Sequence, residues 1–342
     1  MVRKTAFLSR VLRTVGASRV LDAYWGASRL TVLAYHRITD AHAADFPYYR
    51  PNVSATPGMF ARQMEYVRKR FNVIDLAALY AYVEEGKALP WRPLLVTFDD
   101  GYLDNYENAF PVLRSMGLPA VIFLMTSRMD TPSPPWWDEC AYYFYHTQQE
   151  CATLPMIGEQ NLATKAEREA ALEIMLQAMK GIREEEKLTA LRELPQLLGV
   201  APPGADPPLF VSWDQVRELV AKGIACQPHT VTHPILTRID PAEAHRQLAE
   251  SKQVIERETD QRVTAFAYPN GTPADYDQRT FAILRDLGYR LAFTLSPGPM
   301  RLGEVKQRPL EIKRVFLSYK DTFDIFVMKV LGLPALVSRL DI

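Results

Sequence analysis

Short apolar, β-prone runs alternate along this chain with longer segments whose apolar residues recur every third or fourth position. Residues 30–36 read as a strand, and a helix follows through Phe60, Met64 and Val67. Residues 71–74 predict a short strand, with Asp75 capping the helix after it. An apolar strand then ends at Asp99-Asp100, followed by a helix to about Met116, with Gly117 as its stop, and a strand over 119–125. The rhythm resumes with a helix over 212–222 capped by Ser212, a strand over 224–227 and a helix from Pro241 to about Thr259. A strand at 264–268, a helix through Phe281, Leu284 and Leu287, and strands at 291–295 and 312–317 complete it.

From about 128 to 210 the alternation breaks. A proline-rich loop, Trp136-Trp137-Asp138-Glu139 and stretches rich in Ala, Leu, Glu and Lys predict a helical insertion, with Pro202-Pro203-Gly204 and Pro207-Pro208 as its exit. A partly separate lid over the catalytic face is one form it can take. Outside it, polar residues gather at strand C-terminal ends, which favours a barrel-like parallel sheet. The rival, an open doubly wound sheet, lacks support from any glycine-rich phosphate loop.

The division expected is an amphipathic helical segment over 1–29, a barrel with its insertion over 30–320, and a C-terminal helix over 321–342. Phe7, Leu8, Val11, Leu12 and Val15 fall at helical spacing, with Arg3, Lys4, Arg10 and Arg13 for another face. Phe323, Phe326, Val327, Val330 and Leu331 make a similar stripe. Packing on the main body is the first reading of both; peripheral attachment to a membrane surface is the second. No apolar run approaches the ~18 residues needed to cross a bilayer, and Arg10 and Arg13 interrupt any signal-peptide core. Three cysteines without a CxxC pair argue against a disulfide framework. A cytoplasmic protein, or one on the inner face of the membrane, is the expectation. Lys+Arg and Asp+Glu balance at 40 each, so no global field favours nucleic acid, and oligomeric state is not legible.

The chemistry concentrates where strands end. Leu94-Leu95-Val96-Thr97-Phe98 delivers two adjacent carboxylates, Asp99 and Asp100, and Gly101 to the open end of the α/β core. Adjacent strand residues point to opposite sides, so one acid can hold a metal while the other handles a proton. His229-Thr230-Val231-Thr232-His233 supplies two imidazoles four positions apart. One Asp and two His leave a coordination position open for water and substrate, as hydrolysis requires.

Three ordered motifs, Thr97-Phe98-Asp99-Asp100-Gly101, His229-Thr230-Val231-Thr232-His233 and Phe266-Ala267-Tyr268-Pro269-Asn270-Gly271, resemble the polysaccharide deacetylase family (NodB homology, carbohydrate esterase 4). Tyr35-His36-Arg37 and the Phe-Ala-Tyr-Pro-x-Gly form look most like its poly-β-1,6-N-acetylglucosamine deacetylase branch. The resemblance implies a distorted (β/α) barrel, often with fewer than eight strands, that removes N-acetyl groups from sugars. It assigns Asp100, His229 and His233 to a divalent metal, by default Zn²⁺ with Co²⁺ or Ni²⁺ as alternatives, Asp99 to the general base, and the Asn270 N–H to the oxyanion. Tyr268 and Pro269 then shape the wall beside Asn270.

The sequence departs from the family twice. No late Leu-x-His follows His245, and His36, on a neighbouring strand in a closed barrel, is the candidate general acid. Ala267 stands where many members carry an Arg that orients the base; Arg314, near the end of the last strand, can replace it or form a structural ion pair. Trp136 and Trp137 are candidates for stacking on a sugar or for stapling the insertion to the barrel. Tyr102 reads as packing, Cys226 as buried, and His42, His146 and His245 as surface or structural residues. The leading expectation is deacetylation of an N-acetylated glycan or lipid-linked sugar. The alternatives are hydrolysis of another carbon–nitrogen bond, in a formamido sugar or small cyclic amide, and a non-catalytic carbohydrate-binding descendant.

Overall fold

A computed structural model describes residues 28–43, 46–131, 133–204 and 208–332. Seven strands form the barrel: β1 (Arg29–Tyr35), β2 (Pro93–Phe98), β3 (Ala120–Leu124), β4 (Ile224–Pro228), β5 (Ala265–Ala267), β6 (Leu291–Pro297) and β7 (Ile312–Phe316). Their order is β5-β6-β7-β1-β2-β3-β4, and every neighbouring pair is parallel. The helices are α1 (Pro57–Arg70), α2 (Leu76–Glu84), α3 (Phe110–Met116), α4 (Trp136–His146), α5 (Lys165–Gly181), α6 (Glu184–Leu198), α7 (Trp213–Ala221), α8 (Pro241–Thr259), α9 (Gln278–Asp286), α10 (Leu302–Gln307) and α11 (Phe323–Val330). The predicted α/β barrel with fewer than eight strands is what forms.

Strand parity sorts the residues. Leu30 and Val32 of β1, Leu95 of β2, Val121 and Phe123 of β3, Ala265 and Ala267 of β5, Leu291 and Phe293 of β6 and Ile312 of β7 share one buried cluster. Their alternates, including Leu33, Val96, Phe98 and Ile122, pack with the helices in a second, larger core. Thr97 and Asp99 follow Leu95 in register, and Arg314 follows Ile312. The interior column therefore turns polar at the C-terminal end.

Closure between β4 and β5 is made by side chains. Gln227 accepts from the backbone N–H groups of Thr264 (3.0 Å) and Ala265 (2.9 Å) and donates to the Cys226 carbonyl (2.9 Å). A buried amide thus substitutes for missing ladder bonds.

The insertion between β3 and β4 carries α4, α5 and α6, as its composition predicts. It also contains an antiparallel hairpin, Cys151–Leu154 with Gly158–Asn161, where helix alone was expected. Met156 and Gly158 take left-handed φ values of 67° and 70° at its turn, which stops a helix locally despite helix-prone flanks. Trp136, Trp137, Tyr143, Leu172 and Leu176 join the larger core, so the insertion is a fixed wall continuous with the barrel. Its exit pairs with the turn after β2: Leu103 donates to Leu209 O (2.9 Å) and Val211 to Gly101 O (3.0 Å).

Of the terminal stripes, the N-terminal one lies outside the described residues, as do residues 333–342. In α11, Phe323 and Phe326 pack edge-on against Tyr66 of α1, so this part of the stripe is used by the body. No helix among the described residues is long and apolar enough to cross a membrane.

Replacing Gln227 by Leu leaves the Thr264 and Ala265 N–H groups buried without acceptors. The expected loss is about 2–4 kcal/mol of unfolding free energy, read by urea denaturation; a loss below about 0.5 kcal/mol would mean that the seam is held by other contacts.

Candidate metal and catalytic site

Asp99 closes the polar end of the barrel interior. Arg314, fully buried, grips it with two bonds, Nη1 to Oδ1 at 2.7 Å and Nη2 to Oδ2 at 2.8 Å. The fork is fixed from behind by Nε donating to Thr294 O (2.9 Å) and by Nη1 donating to Thr97 Oγ1 (3.3 Å). Burial alone would push the Asp99 pKa up, but the Arg314 charge outweighs it, helped by His229 and His36, and brings it down to about 2. The carboxylate is therefore ionised at any working pH.

Asp100 is adjacent and has no such partner. Its φ of 73° and that of Gly101 (79°) turn the chain out of β2, and a Cβ at Gly101 would lie 2.7 Å from Leu124 Cδ2. Both Asp100 oxygens are buried without a hydrogen bond. His229 Nε2 lies 3.6 Å from Asp100 Oδ1, and His233 Nε2 lies 3.7 Å from the same oxygen. The five-residue histidine motif is a loop after β4, not a helix, with Thr230 and His233 at φ 67° and 63°. His229 Nδ1 donates to Ala267 O (2.7 Å), leaving Nε2 with its lone pair toward Asp100. Burial raises the Asp100 pKa strongly, Asp99 and Asp138 adding to the effect, and burial lowers both histidines.

Two orphaned carboxylate oxygens facing two neutral imidazole nitrogens form a mismatched group for a protein alone. They fit a divalent cation, since the three donor atoms lie within 4.8 Å of one another and bonds of about 2.0–2.2 Å let one ion bridge such a set. Asp100, His229 and His233, the three expected ligands, are brought together.

Buried Gln247 of α8 orders this loop. Its Oε1 accepts from Val231 N (2.9 Å) and Thr232 N (3.0 Å), while Nε2 donates to Thr232 Oγ1 (3.0 Å). Sequence reading passed over it, although a glutamine on the Ala244–Leu248–Ser251–Ile255 face breaks an otherwise buried stripe.

A cleft of about 380 Å³ opens over these residues, lined in part by His36, Asp99, Asp100, Trp136, Trp137 and Asn270. His36 Nε2 sits 3.8 Å from Asp99 Oδ2, and its Nδ1 is buried without a partner. Burial drives the His36 pKa down to about 4 against the raising influence of Asp99. Asn270, at φ 57°, lies beside the cleft, and its N–H bonds to no described residue. Tyr268 and Pro269 do not line it. Tyr268, expected to shape the wall beside Asn270, does so from beneath: it is buried, donates to Leu310 O (2.9 Å) and stacks on Tyr276 at 4.5 Å.

The two tryptophans divide their tasks. Trp137 meets the His233 ring edge-on at 4.7 Å, and its Nε1 donates to Tyr102 Oη (2.9 Å), which donates to Asp138 Oδ2 (3.0 Å). Tyr102, read as packing, therefore ties the turn after Asp100 to the insertion, while Trp137 brings the insertion against His233. Trp136 Nε1 is buried in the cleft wall without a protein acceptor. Phe316, 37% exposed and 5.7 Å from the His36 ring, is the exposed aromatic of the cleft and was not singled out from the sequence. Cys226 is buried, while His42, His146 and His245 are exposed, as expected.

Fold and site together define a parallel α/β barrel with a candidate one-cation centre and a paired carboxylate at its C-terminal face. The profile of the polysaccharide deacetylase family matches residues 86–292, and the chain belongs to that family. YxkH of Bacillus subtilis, whose name places it with polysaccharide deacetylases, is 21% identical over 272 residues, covering 79% of this chain and 66% of its own. The poly-β-1,6-N-acetyl-D-glucosamine N-deacetylase of Escherichia coli K12 is 30% identical over 116 residues, 34% of this chain and 17% of its own. The chain thus matches less than two thirds of the length of either relative. Among solved structures, IcaB from Ammonifex degensii superposes with a TM-score of 0.56 at 20% identity, covering 90% of this chain and 97% of its own. Streptococcus pyogenes deacetylase PplD, in complex with acetate, gives 0.59 at 16% identity, covering 88% and 98%. Both likenesses concern the fold.

Two variants test the scaffold of this site. Arg314→Met strands the buried Asp99 charge and is expected to cost about 3–5 kcal/mol in chemical denaturation; an unchanged midpoint would show that the ion pair is dispensable for folding. Gln247→Leu frees the histidine loop and should weaken zinc binding by about tenfold or more, measured by competition with a chromogenic chelator. Wild-type affinity in that variant would remove Gln247 from the account.

Proposed function

We propose that this cleft hydrolyses the acetamide of an N-acetylated sugar in a glycan or glycolipid, with a divalent metal held by Asp100, His229 and His233. The observation that carries the reading is the unpaired Asp100 carboxylate facing two imidazoles beside a second, ionised carboxylate. When bound there, a Zn²⁺, Co²⁺ or Ni²⁺ ion supplies Lewis-acid polarisation of the carbonyl and a water of lowered pKa.

The remaining work falls to side chains. Asp99, held ionised and aimed by Arg314, accepts the proton of the attacking water. The Asn270 N–H donates to the carbonyl oxygen as negative charge gathers on it. His36 begins neutral, because burial depresses its pKa to about 4, so it cannot arrive carrying a spare proton. It receives the water's proton from Asp99, 3.8 Å away, and passes one to the departing nitrogen. One proton thus moves from water to the nitrogen as the C–N bond breaks, giving the free amine and acetic acid, which loses its proton to solvent as acetate. Phe316 offers an apolar face to the sugar. The exposed rim residues Gln177, Thr272 and Phe316 leave room for neighbouring sugar units, which favours a glycan over a small cyclic amide.

Acetate release from N-acetylglucosamine oligomers should vanish on chelation and return with zinc. His36→Ala should keep its metal content, by plasma emission analysis, and lose about 10²–10⁴-fold in kcat. Full turnover in His36→Ala would reject the proton-delivery role. Binding of these oligomers without acetate release at full metal loading would reject hydrolysis and leave a carbohydrate-binding descendant.

A further inference from the structure

The insertion contributes a charge to the cleft as well as cover. Leu176, Gln177 and Lys180 lie on one face of α5, and all three line the cleft. Lys180 is half-buried and makes no hydrogen bond or ion pair with any described residue. The acids nearest in effect are engaged elsewhere: the Glu173 carboxylate accepts from Tyr49 Oη (2.8 Å), and Asp275 Oδ2 accepts from Thr272 N (2.8 Å) and Oγ1 (2.6 Å). Burial lowers the Lys180 pKa, with Glu173 and Asp275 opposing. Lys187, also in the insertion, shows the contrast: it pairs with Glu184 at 2.6 Å and sits 4.7 Å over the Trp136 ring. The fold pairs the buried ammonium of Lys187 with a carboxylate and leaves the half-buried one of Lys180 to the cleft. Placement in the last turn of α5 suits a cation, but an outward-facing position in that turn would serve the helix equally well.

We propose that Lys180 is a specificity residue that holds an oxyanion of the substrate, a carboxylate or phosphate on or beside the N-acetylated sugar. This rests on the deacetylase reading of the same cleft. Among the described residues Asp275 is the one lining acid outside the Asp99–Asp100 pair, and two Thr272 donors engage its Oδ2. Among the described residues Lys180 is the one lysine or arginine that lines the cleft, and no carboxylate pairs with it. An ammonium that gives up part of its water is best repaid by a charged acceptor.

The test compares three matched N-acetylglucosamine ligands: a neutral disaccharide, the same sugar linked to glucuronate, and its 1-phosphate. Acetate release gives kcat/KM for zinc-loaded wild type, Lys180→Met and Lys180→Arg, and calorimetry gives the affinity of each ligand. Wild type should favour the carboxylate or the phosphate ligand over the neutral one by about tenfold or more, which also tells the two sources apart. Lys180→Met should bring that ratio close to one, chiefly through KM, and Lys180→Arg should restore most of it. A wild-type ratio near one overturns the proposal, as does a Lys180→Met ratio equal to wild type; a lowered Tm with that unchanged ratio would assign the lysine to the helix end. Should no ligand release acetate, the deacetylase reading fails, and the calorimetric ratio of wild type against Lys180→Met still decides the role of Lys180.

Discussion

Two carboxylates side by side at the end of a buried strand repel each other, and the Arg314 fork under Asp99 resolves that conflict. Without a cation beneath it, burial and the neighbouring charge would push Asp99 toward its neutral form. With Arg314 in place, Asp99 stays ionised and turned one way, and Asp100 is left as the group in deficit. Asymmetry between adjacent acids is thereby built into the barrel before any metal binds. Thr97 and Thr294, which hold the guanidinium, extend the same constraint into β2 and β6.

The rest of the site departs from regular geometry, each time with an identifiable support. Asp100, Thr230, His233 and Asn270 all have positive φ, a conformation that costs non-glycine residues of order 1 kcal/mol or more each. Gln247 holds the histidine loop, the Ala267 carbonyl orients His229, and the exit segment at Leu209 and Val211 holds the turn after Asp100. Gln227 closes the seam between β4 and β5, across which the His229–Ala267 bond also runs. Strand closure and ligand orientation thus depend on the same few angstroms of backbone.

The catalytic end was legible because its signals are local. Strand parity placed Asp99 and Asp100 on different sides, and the histidine motif and Arg314 could be nominated from their positions after or near strand ends. What escaped reading depends on distant partners. Gln227 and Gln247 look like ordinary polar residues until the strands they bridge are known. Tyr268 lies within a motif, yet its hydroxyl is spent on Leu310 O, forty-two positions away, and not on the cleft. The insertion hairpin was masked because Ala- and Leu-rich flanks outweigh one Pro155–Gly158 turn in any pattern average.

Sequence reading treated the insertion as a cover, and its contacts give it a larger part. Trp137 touches His233, Tyr102 carries that contact to Asp138, and Asp138 accepts from Tyr49 N at 2.8 Å. Tyr49 in turn donates to Glu173 of α5, the helix whose cleft face bears Gln177 and Lys180. One connected set of contacts therefore spans His233 and the helix that lines the cleft. The barrel supplies the paired carboxylates and imidazoles, where small displacements are costly, while the inserted helices supply one wall of the cleft. That division follows from the chain order: the insertion leaves the barrel after β3 and returns through a segment hydrogen-bonded to Gly101 and Leu103, so it cannot shift without pulling on the turn after Asp100.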